Sequence, residues 1–257
     1  MTKNIFSLQG YCSIVTGAAR GLGKSMANAL ADAGSNIVIA DIREEEAQET
    51  AKEIEKKGVK SLVVKVNVTN KDNIKDMVKV VLDKFKRIDV LLNNAGICKV
   101  IKAEEMDYKD WLEVINVNLN GVFLMSQVVG MVMIEQKEGS IINISSISGV
   151  VVNTPQTHSS YNVSKAGVIM LTKSLASEWA RYNIRVNTIA PGYTTAGMAR
   201  PAIEENGEEY KRWLSLIPMG RCGEPDELGG MVVYLASKAS SYCTGGVYMV
   251  DGGYTVW

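Results

Sequence analysis

The sequence predicts an α/β fold: a single domain built on a doubly wound, mostly parallel seven-stranded sheet with helices on both faces. Three observations predict it. Short apolar runs alternate with longer amphipathic segments along the whole chain. Those runs are mostly apolar rather than alternating, as strands covered on both faces require. No Pro- or Ser-rich linker, charge block or low-complexity stretch divides the 257 residues, so residues 1–257 read as one unit.

The strand candidates are Cys12–Thr16, Asn36–Ala40, Ser61–Val66, Asp89–Leu92, Ser140–Ile144, Ile184–Ile189 and Val247–Val250. Between them, helices are expected at Gly21–Ala33, Glu44–Lys57, Lys71–Phe85, Tyr108–Glu135, Tyr161–Tyr182, Glu204–Leu216 and Pro225–Leu235. Gly34 and Gly58 sit where C-caps end helices. Thr69 or Asn70 can cap the third helix, and Pro225 suits a first helical position. Strand-helix alternation implies right-handed crossovers, with ligands held beyond the carboxyl ends of the strands.

Composition narrows the function. The 28 Lys and Arg balance 28 Asp and Glu, which argues against nucleic acid as a partner, since counterion release needs a clustered cationic surplus. Four cysteines without a C-x-x-C pair fit a reducing, cytoplasmic setting. No apolar run looks long enough to span a bilayer, and Met1–Gly10 lacks a signal-peptide pattern, so no membrane association is expected. His158, the only histidine, cannot by itself build a multi-histidine metal site, and no G-x-S-x-G elbow offers a nucleophile. No metal site is predicted, and catalysis must rest on Tyr, Lys, Ser, Asp or a cofactor.

The first strand runs into Thr16-Gly17-Ala18-Ala19-Arg20-Gly21-Leu22-Gly23 and then a helix. A strand, a glycine turn and a helix N-terminus form an anion site from backbone N–H groups and the helix dipole. The G-x-x-x-G-x-G spacing alone also suits a plain tight turn. Asp41 adds weight: it ends the second strand about 20 residues on, where a carboxylate accepts hydrogen bonds from both ribose hydroxyls of an adenosine. A 2′-phosphate would meet negative charge there, so NAD is expected; Arg20 and Arg43 leave NADP or dual use open.

Tyr161-Asn162-Val163-Ser164-Lys165 opens a helix and puts phenol and ammonium one turn apart on one face. The pair reads either as an amphipathic surface pair or as an acid/base tyrosine with a cation to stabilise its phenolate. Upstream, Ile141-Ile142-Asn143-Ile144-Ser145-Ser146 ends a buried strand in hydroxyls at the ligand-binding edge.

With these motifs the sequence resembles the short-chain dehydrogenase/reductase family over essentially its whole length. The marks are Thr16–Gly23, N-N-A-G at Asn93–Gly96, N-V-N-L at Asn116–Leu119, S-S-I-S-G at Ser145–Gly149, Tyr161–Lys165, Arg185–Gly192 and D-G-G at Asp251–Gly253. The resemblance implies a Rossmann-type fold and a catalytic group of Asn118, Ser146, Tyr161 and Lys165. In that group Tyr161 is the acid/base and Ser146 orients the substrate oxygen. Lys165 binds ribose and lowers the tyrosine pKa, and Asn118 holds a relay water. Ser148 competes with Ser146 for the serine role. The resemblance implies that NAD lies against Gly17, Arg20, Gly21, Leu22, Gly23, Asp41, Ile42, Asn67, Val68, Asn94, Ala95 and Gly96. Tyr161, Lys165, Pro191, Gly192 and Thr194 complete that site, with the Asn67 amide oxygen accepting from the adenine amine.

Substrate walls are expected from Ile147–Ser160 and a loop region at about 193–217. Ser148, Asn153, Gln156, His158 and Tyr193 are the candidate contacts, though the same residues also suit a solvated polar loop. The resemblance is strongest to polyol dehydrogenases of the galactitol, sorbitol and arabinitol type and implies oxidation of a sugar alcohol to a ketose. A 3-oxoacyl carrier-protein reductase, a gluconate-type dehydrogenase and a redox-sensing nucleotide-binding protein are the alternatives. It also implies a homotetramer and leaves a structural divalent cation near the C-terminus open.

Overall fold

A computed structural model describes residues 4–257. Seven strands run parallel in the order β3-β2-β1-β4-β5-β6-β7. They are β1 (Cys12–Thr16), β2 (Asn36–Asp41), β3 (Ser61–Lys65), β4 (Val90–Asn93), β5 (Gly139–Ile144), β6 (Ile184–Pro191) and β7 (Val247–Val250). The order reverses between β1 and β4, and a crevice opens at that switch point above the strand ends.

Alternate residues of the strands feed two cores. Val15, Ile37, Ile39, Val90 and Leu92 pack under α1 (Gly21–Asp32), α2 (Glu44–Glu55) and a C-terminal helix. Ile14, Val38, Ala40 and Leu91 face the other way, under α3 (Lys71–Phe85) and two long helices. That two-sided burial is why the strands are mostly apolar. Asn70 caps α3, its side chain accepting from the Asp72 and Asn73 N–H groups. Gly34, at φ +100°, turns the chain out of α1.

Three expected helices are built differently. Tyr108–Glu135 is α4 (Tyr108–Ile115) and α5 (Gly121–Gln136), joined by one wide π turn at Asn116–Asn120. Gly121 there packs so closely on Val68 that a side chain would overlap it. After α6 (Ser159–Trp179), the expected helix Glu204–Leu216 is two, α7 (Arg200–Glu205) and α8 (Glu208–Leu216). Asn206 at φ +52° adopts the left-handed conformation that stops α7. Pro225–Leu235 begins as a 3₁₀ turn, Pro225–Leu228, closed by a capping box between Glu224 and Glu227. It continues as α9 (Gly229–Ala236).

Contrary to expectation, Tyr108–Gln136 is long and apolar enough to cross a membrane. Val122, Met125, Val129 and Met133 of that stretch are buried in the second core, as in the core helix of a globular domain. Phe123 and Met131 of that stretch are exposed, as are Val163 and Met170 of α6.

Candidate active site

A cleft of about 1290 Å³ lies over the carboxyl ends of the strands. Every site residue named from the sequence lines it except Asn118.

Its first half is the glycine turn. Gly17 and Gly21 have φ of +65° and +57°, values costly for any residue with a side chain. A Cβ on Gly23 would fall inside the van der Waals shell of the Gly17 carbonyl oxygen, so Gly23 is required for helix-to-strand packing. Arg20 at the N-cap of α1 offers no capping side chain, which leaves the first N–H groups of the helix for an anion. Asn94 holds the turn in place, its Nδ2 donating to the Thr16 and Gly17 carbonyls at 3.0 Å each. Thr16 Oγ1 accepts in return from the Asn94 and Ala95 N–H groups at 2.9 and 3.0 Å.

Asp41 is buried and fixed. Its Oδ2 accepts from Ala19 N–H and its Oδ1 from Arg43 N–H, both at 3.0 Å, and each oxygen keeps a lone pair. Beside it, Ile42 is exposed, and Arg20 and Arg43 both lean on Glu46, at 3.9 and 3.7 Å. These exposed pairs hold the guanidinium groups weakly. Asn67 differs from expectation. Its carbonyl oxygen accepts from Thr69 N–H (3.0 Å) and Thr69 Oγ1 (2.9 Å), closing a turn before α3, so both lone pairs are already used. The amide N–H groups of Asn67 are what it can offer a purine.

The second half is the catalytic group. Lys165 is buried, its Nζ 5.5 Å from the centre of the Tyr161 ring and donating to Ile144 O at 2.9 Å. Two ammonium protons remain for other acceptors. Burial pushes the Tyr161 phenol up to about 12, nearby Cys98 adds to this, and a hydrogen bond with Ser146 opposes it. Burial likewise pulls Lys165 down to about 8. Desolvation is the largest influence on both groups. Ser146, whose hydroxyl acts to lower the Tyr161 phenol, lies 3.2 Å from Ser148, Oγ to Oγ. Both serines therefore belong to one site, and Ser146 is the one against the phenol.

Asn118 sits in the π turn, behind the cleft wall. Its Oδ1 accepts from Ile97 N–H (2.8 Å), and its Nδ2 donates to Ile97 O (2.9 Å) and Ser164 Oγ (3.1 Å). Ser164 in turn donates to Tyr161 O at 2.7 Å. The side chain braces the loop after β4 against α6.

The substrate side carries one continuous hydrogen-bonded chain. Ser148 Oγ donates to Asn153 Oδ1 (2.9 Å), Asn153 Nδ2 to Tyr193 OH (3.0 Å), Tyr193 OH to Gln156 Oε1 (3.1 Å) and Gln156 Nε2 to Glu209 Oε1 (2.8 Å). His158 is buried, which rules out the solvated-loop reading for it; its Nε2 is 3.2 Å from Asn153 Oδ1. Burial lowers its pKa, so the ring is neutral at pH 7. Tyr193 stacks on Trp213 of α8, centroids 4.1 Å apart. Thr194 is buried beside the cleft in a bridge to Gly223. Gly192 must be glycine, because a Cβ would lie 2.7 Å from Asp251 Cα. The Asp251 carboxylate closes its own turn on Gly253, Thr255 N–H and Thr255 Oγ1. Among the described residues no cluster of three or more metal-ligating side chains occurs.

Cys98, Glu209 and Trp213 line the cleft without having been named as candidates from the sequence. Cys98 Sγ lies 3.9 Å from His158 Nδ1, and burial raises its thiol to about 11. No spacing marks it, whereas Glu209 and Trp213 fall inside the expected substrate loop.

A family model described as enoyl-(acyl carrier protein) reductase matches residues 17–255. The chain is 43% identical to 3-oxoacyl-(acyl-carrier-protein) reductase FabG of Thermotoga maritima, covering 97% of this chain and 99% of that one. To galactitol 2-dehydrogenase (L-tagatose-forming) of Cereibacter sphaeroides it is 39% identical over 99% of both. The structure of a gluconate 5-dehydrogenase from Burkholderia cenocepacia, in complex with NADP and tartrate, superposes with a TM-score of 0.93. It is 35% identical, over 99% of this chain and 98% of that one. The chain belongs to the short-chain dehydrogenase/reductase family and is an NAD(P)-dependent oxidoreductase acting on alcohol and ketone groups.

Proposed function

We propose that the chain interconverts a sugar alcohol and its ketose, oxidising a secondary hydroxyl with NAD. The direction of the hydrogen bonds on the substrate wall carries this reading. Ser148 and Tyr193 each spend their single proton on the next link towards Glu209, so their oxygens face the cleft as acceptors. A wall of acceptors is complementary to a ligand rich in O–H donors. The charged residues lining this half of the cleft are Arg200, Glu205 and Glu209, besides Lys165. Arg200 is paired with Glu204 at 2.6 Å. Two carboxylates at the mouth disfavour a sugar acid or an acidic carrier protein and tolerate a neutral polyol.

The nicotinamide, when bound, supplies the hydride acceptor, and the residues present fit it: the glycine turn for pyrophosphate, Asp41 for adenosine ribose, Lys165 for the second ribose. Ser146 holds the substrate oxygen by hydrogen bond beside Tyr161. Tyr161 as phenolate takes the hydroxyl proton in oxidation and returns it in reduction. Lys165, protonated below about pH 8, supplies positive charge one helical turn away. Asp41, buried and hydrogen-bonded, favours NAD over NADP.

The acyl reductase reading is favoured by the 43% identity to a 3-oxoacyl-(acyl-carrier-protein) reductase and by the description of the matching family model. A single assay separates them: purified protein with NAD or NADP and hexitols, pentitols or gluconate, and with NADH or NADPH and an acetoacetyl thioester, followed by nicotinamide absorbance. Polyol turnover with NAD supports the proposal, and turnover of the thioester alone with NADPH refutes it.

The exposed Phe123, Met131, Val163 and Met170 on α5 and α6 support a homotetramer packed through these helices, measurable by light scattering. Four free cysteines, two of them buried, support residence in the reducing cytoplasm.

A further inference from the structure

Ser148, Asn153, Tyr193, Gln156 and His158 are all groups that can give or take a hydrogen bond. A hydroxyl rotates, an amide turns over and an imidazole changes tautomer, so distances alone let their chain run in either direction. The Glu209 carboxylate cannot reverse, because it only accepts. Gln156 must therefore present its Nε2 to Glu209, at 2.8 Å, and turn its Oε1 to Tyr193 OH, at 3.1 Å. The Tyr193 oxygen then accepts from Asn153 Nδ2 (3.0 Å), which leaves Asn153 Oδ1 facing both Ser148 Oγ (2.9 Å) and His158 Nε2 (3.2 Å). That oxygen accepts from both. Ser148 gives its proton outward, and His158 carries its own on Nε2, with Nδ1 bare towards the Cys98 thiol at 3.9 Å. The opposite direction satisfies every link except the last, where Gln156 Oε1 would meet the carboxylate.

The inner end is free to follow. Burial keeps the His158 ring neutral at pH 7, with one proton for two nitrogens. Cys98 Sγ can give or take a weak hydrogen bond, so either tautomer finds a partner there.

We propose that Glu209 is a positioning residue: by fixing the direction of the chain it sets the His158 tautomer and turns the lone pairs of Ser148, not its proton, to the cleft. In the reversed chain Ser148 accepts from Asn153 and offers its proton instead. A charge at the exposed mouth thus decides what a buried hydroxyl presents 3.2 Å from Ser146. The coupling belongs to the chain itself; its consequence, preference for a ligand that brings O–H donors, rests on the polyol reading.

His158 is the only histidine, so in protein carrying no histidine tag its ring gives the only imidazole signals in nitrogen NMR, and these report the tautomer. Wild type is expected to hold the proton on Nε2. Glu209→Lys, which can only donate, is expected to move it to Nδ1. Tyr193→Phe removes the hydroxyl link, and in that background Glu209→Lys is expected to leave the tautomer as it is in Tyr193→Phe alone, which separates the chain from the field of the new charge. Thermal melting checks that each variant is folded. Glu209→Lys is also expected to raise KM for a hexitol about tenfold with kcat little changed, the cost of one hydrogen bond offered the wrong way. A wild-type proton on Nδ1, a tautomer that Glu209→Lys leaves in place, or one that it moves equally without the Tyr193 hydroxyl overturns the coupling. A reversed tautomer with an unchanged KM overturns the positioning role. A reversed tautomer in protein whose wild type oxidises no hexitol overturns the polyol reading and leaves the coupling standing.

Discussion

Lys165→Met should abolish turnover and at the same time stabilise the fold. The ammonium is buried, hydrogen-bonded to Ile144 O, and pulled from 10.5 to about 8 by desolvation. Holding it protonated at pH 7 therefore costs the native state about 3 kcal/mol. Methionine has a similar length and no charge; it gives up one hydrogen bond and leaves a buried carbonyl to find another donor, at about 1–2 kcal/mol. The net expectation is a gain of about 1–2 kcal/mol at neutral pH. The pH dependence follows from the folded value lying below the unfolded one. Between pH 8 and 10.5 the unfolded state binds the extra proton, so wild-type stability rises with pH relative to the variant. Below about 8 the penalty is complete, and above 10.5 it is gone. Urea unfolding of both proteins at pH 7 and pH 10, at one protein concentration and salt, reads this directly. A variant less stable than wild type at pH 7, or a difference that does not change between the two pH values, refutes the reasoning.

Tyr161→Phe should lower kcat by at least about a thousandfold while NAD still binds, as fluorescence titration of the dinucleotide would show. With the phenol held near 12, wild-type oxidation should accelerate as pH rises from 6 to about 8, where Lys165 begins to lose the charge that supports the phenolate; a flat profile over that range would remove Tyr161 as the base. Asp41→Ala should raise the NADP-to-NAD ratio of kcat/KM about tenfold or more, since Arg20 and Arg43 remain beside the vacated carboxylate. Gly23→Ala should yield little folded protein, because its Cβ would overlap backbone that has no room to move; normal expression and melting would contradict the packing described.

The strands and the catalytic pair were legible because each rests on local regularities. Two-sided burial writes itself as apolar runs, and a four-residue spacing places Tyr161 over Lys165 on any helix. What escaped depends on contacts distant in sequence or on geometry that composition does not encode. The chain from Ser148 to Glu209 joins residues separated by as many as 53 positions, and no local pattern announces it. The π turn at Asn116–Asn120 needs only a shift from i+4 to i+5 bonding, which the same residues satisfy. The break between α7 and α8 was marked by Asn206-Gly207, a pair suited to left-handed backbone, but the apolar periodicity ran through it. Asn67 was assigned by its place after β3, and the neighbouring Thr69 hydroxyl took the oxygen first.

Desolvation shapes both halves of the mechanism. Raising Tyr161 and lowering Lys165 brings the two pKa values to opposite sides of where model compounds would leave them, with the proton on the phenol and the ammonium only weakly basic. A phenolate in such a site is formed only when nearby positive charge is strengthened, so proton transfer waits on a filled cleft. The substrate wall supports the same order of events. Ser146 is held between the phenol and Ser148, and Ser148 is committed to a chain of donors that ends on Glu209, so the proton of Ser146 has two destinations. A substrate oxygen entering between Ser146 and Tyr161 offers a third. Because Ser148 and Tyr193 have already given their protons outward, the ligand must bring the donors, and its own hydroxyls decide how well the reacting carbon is placed.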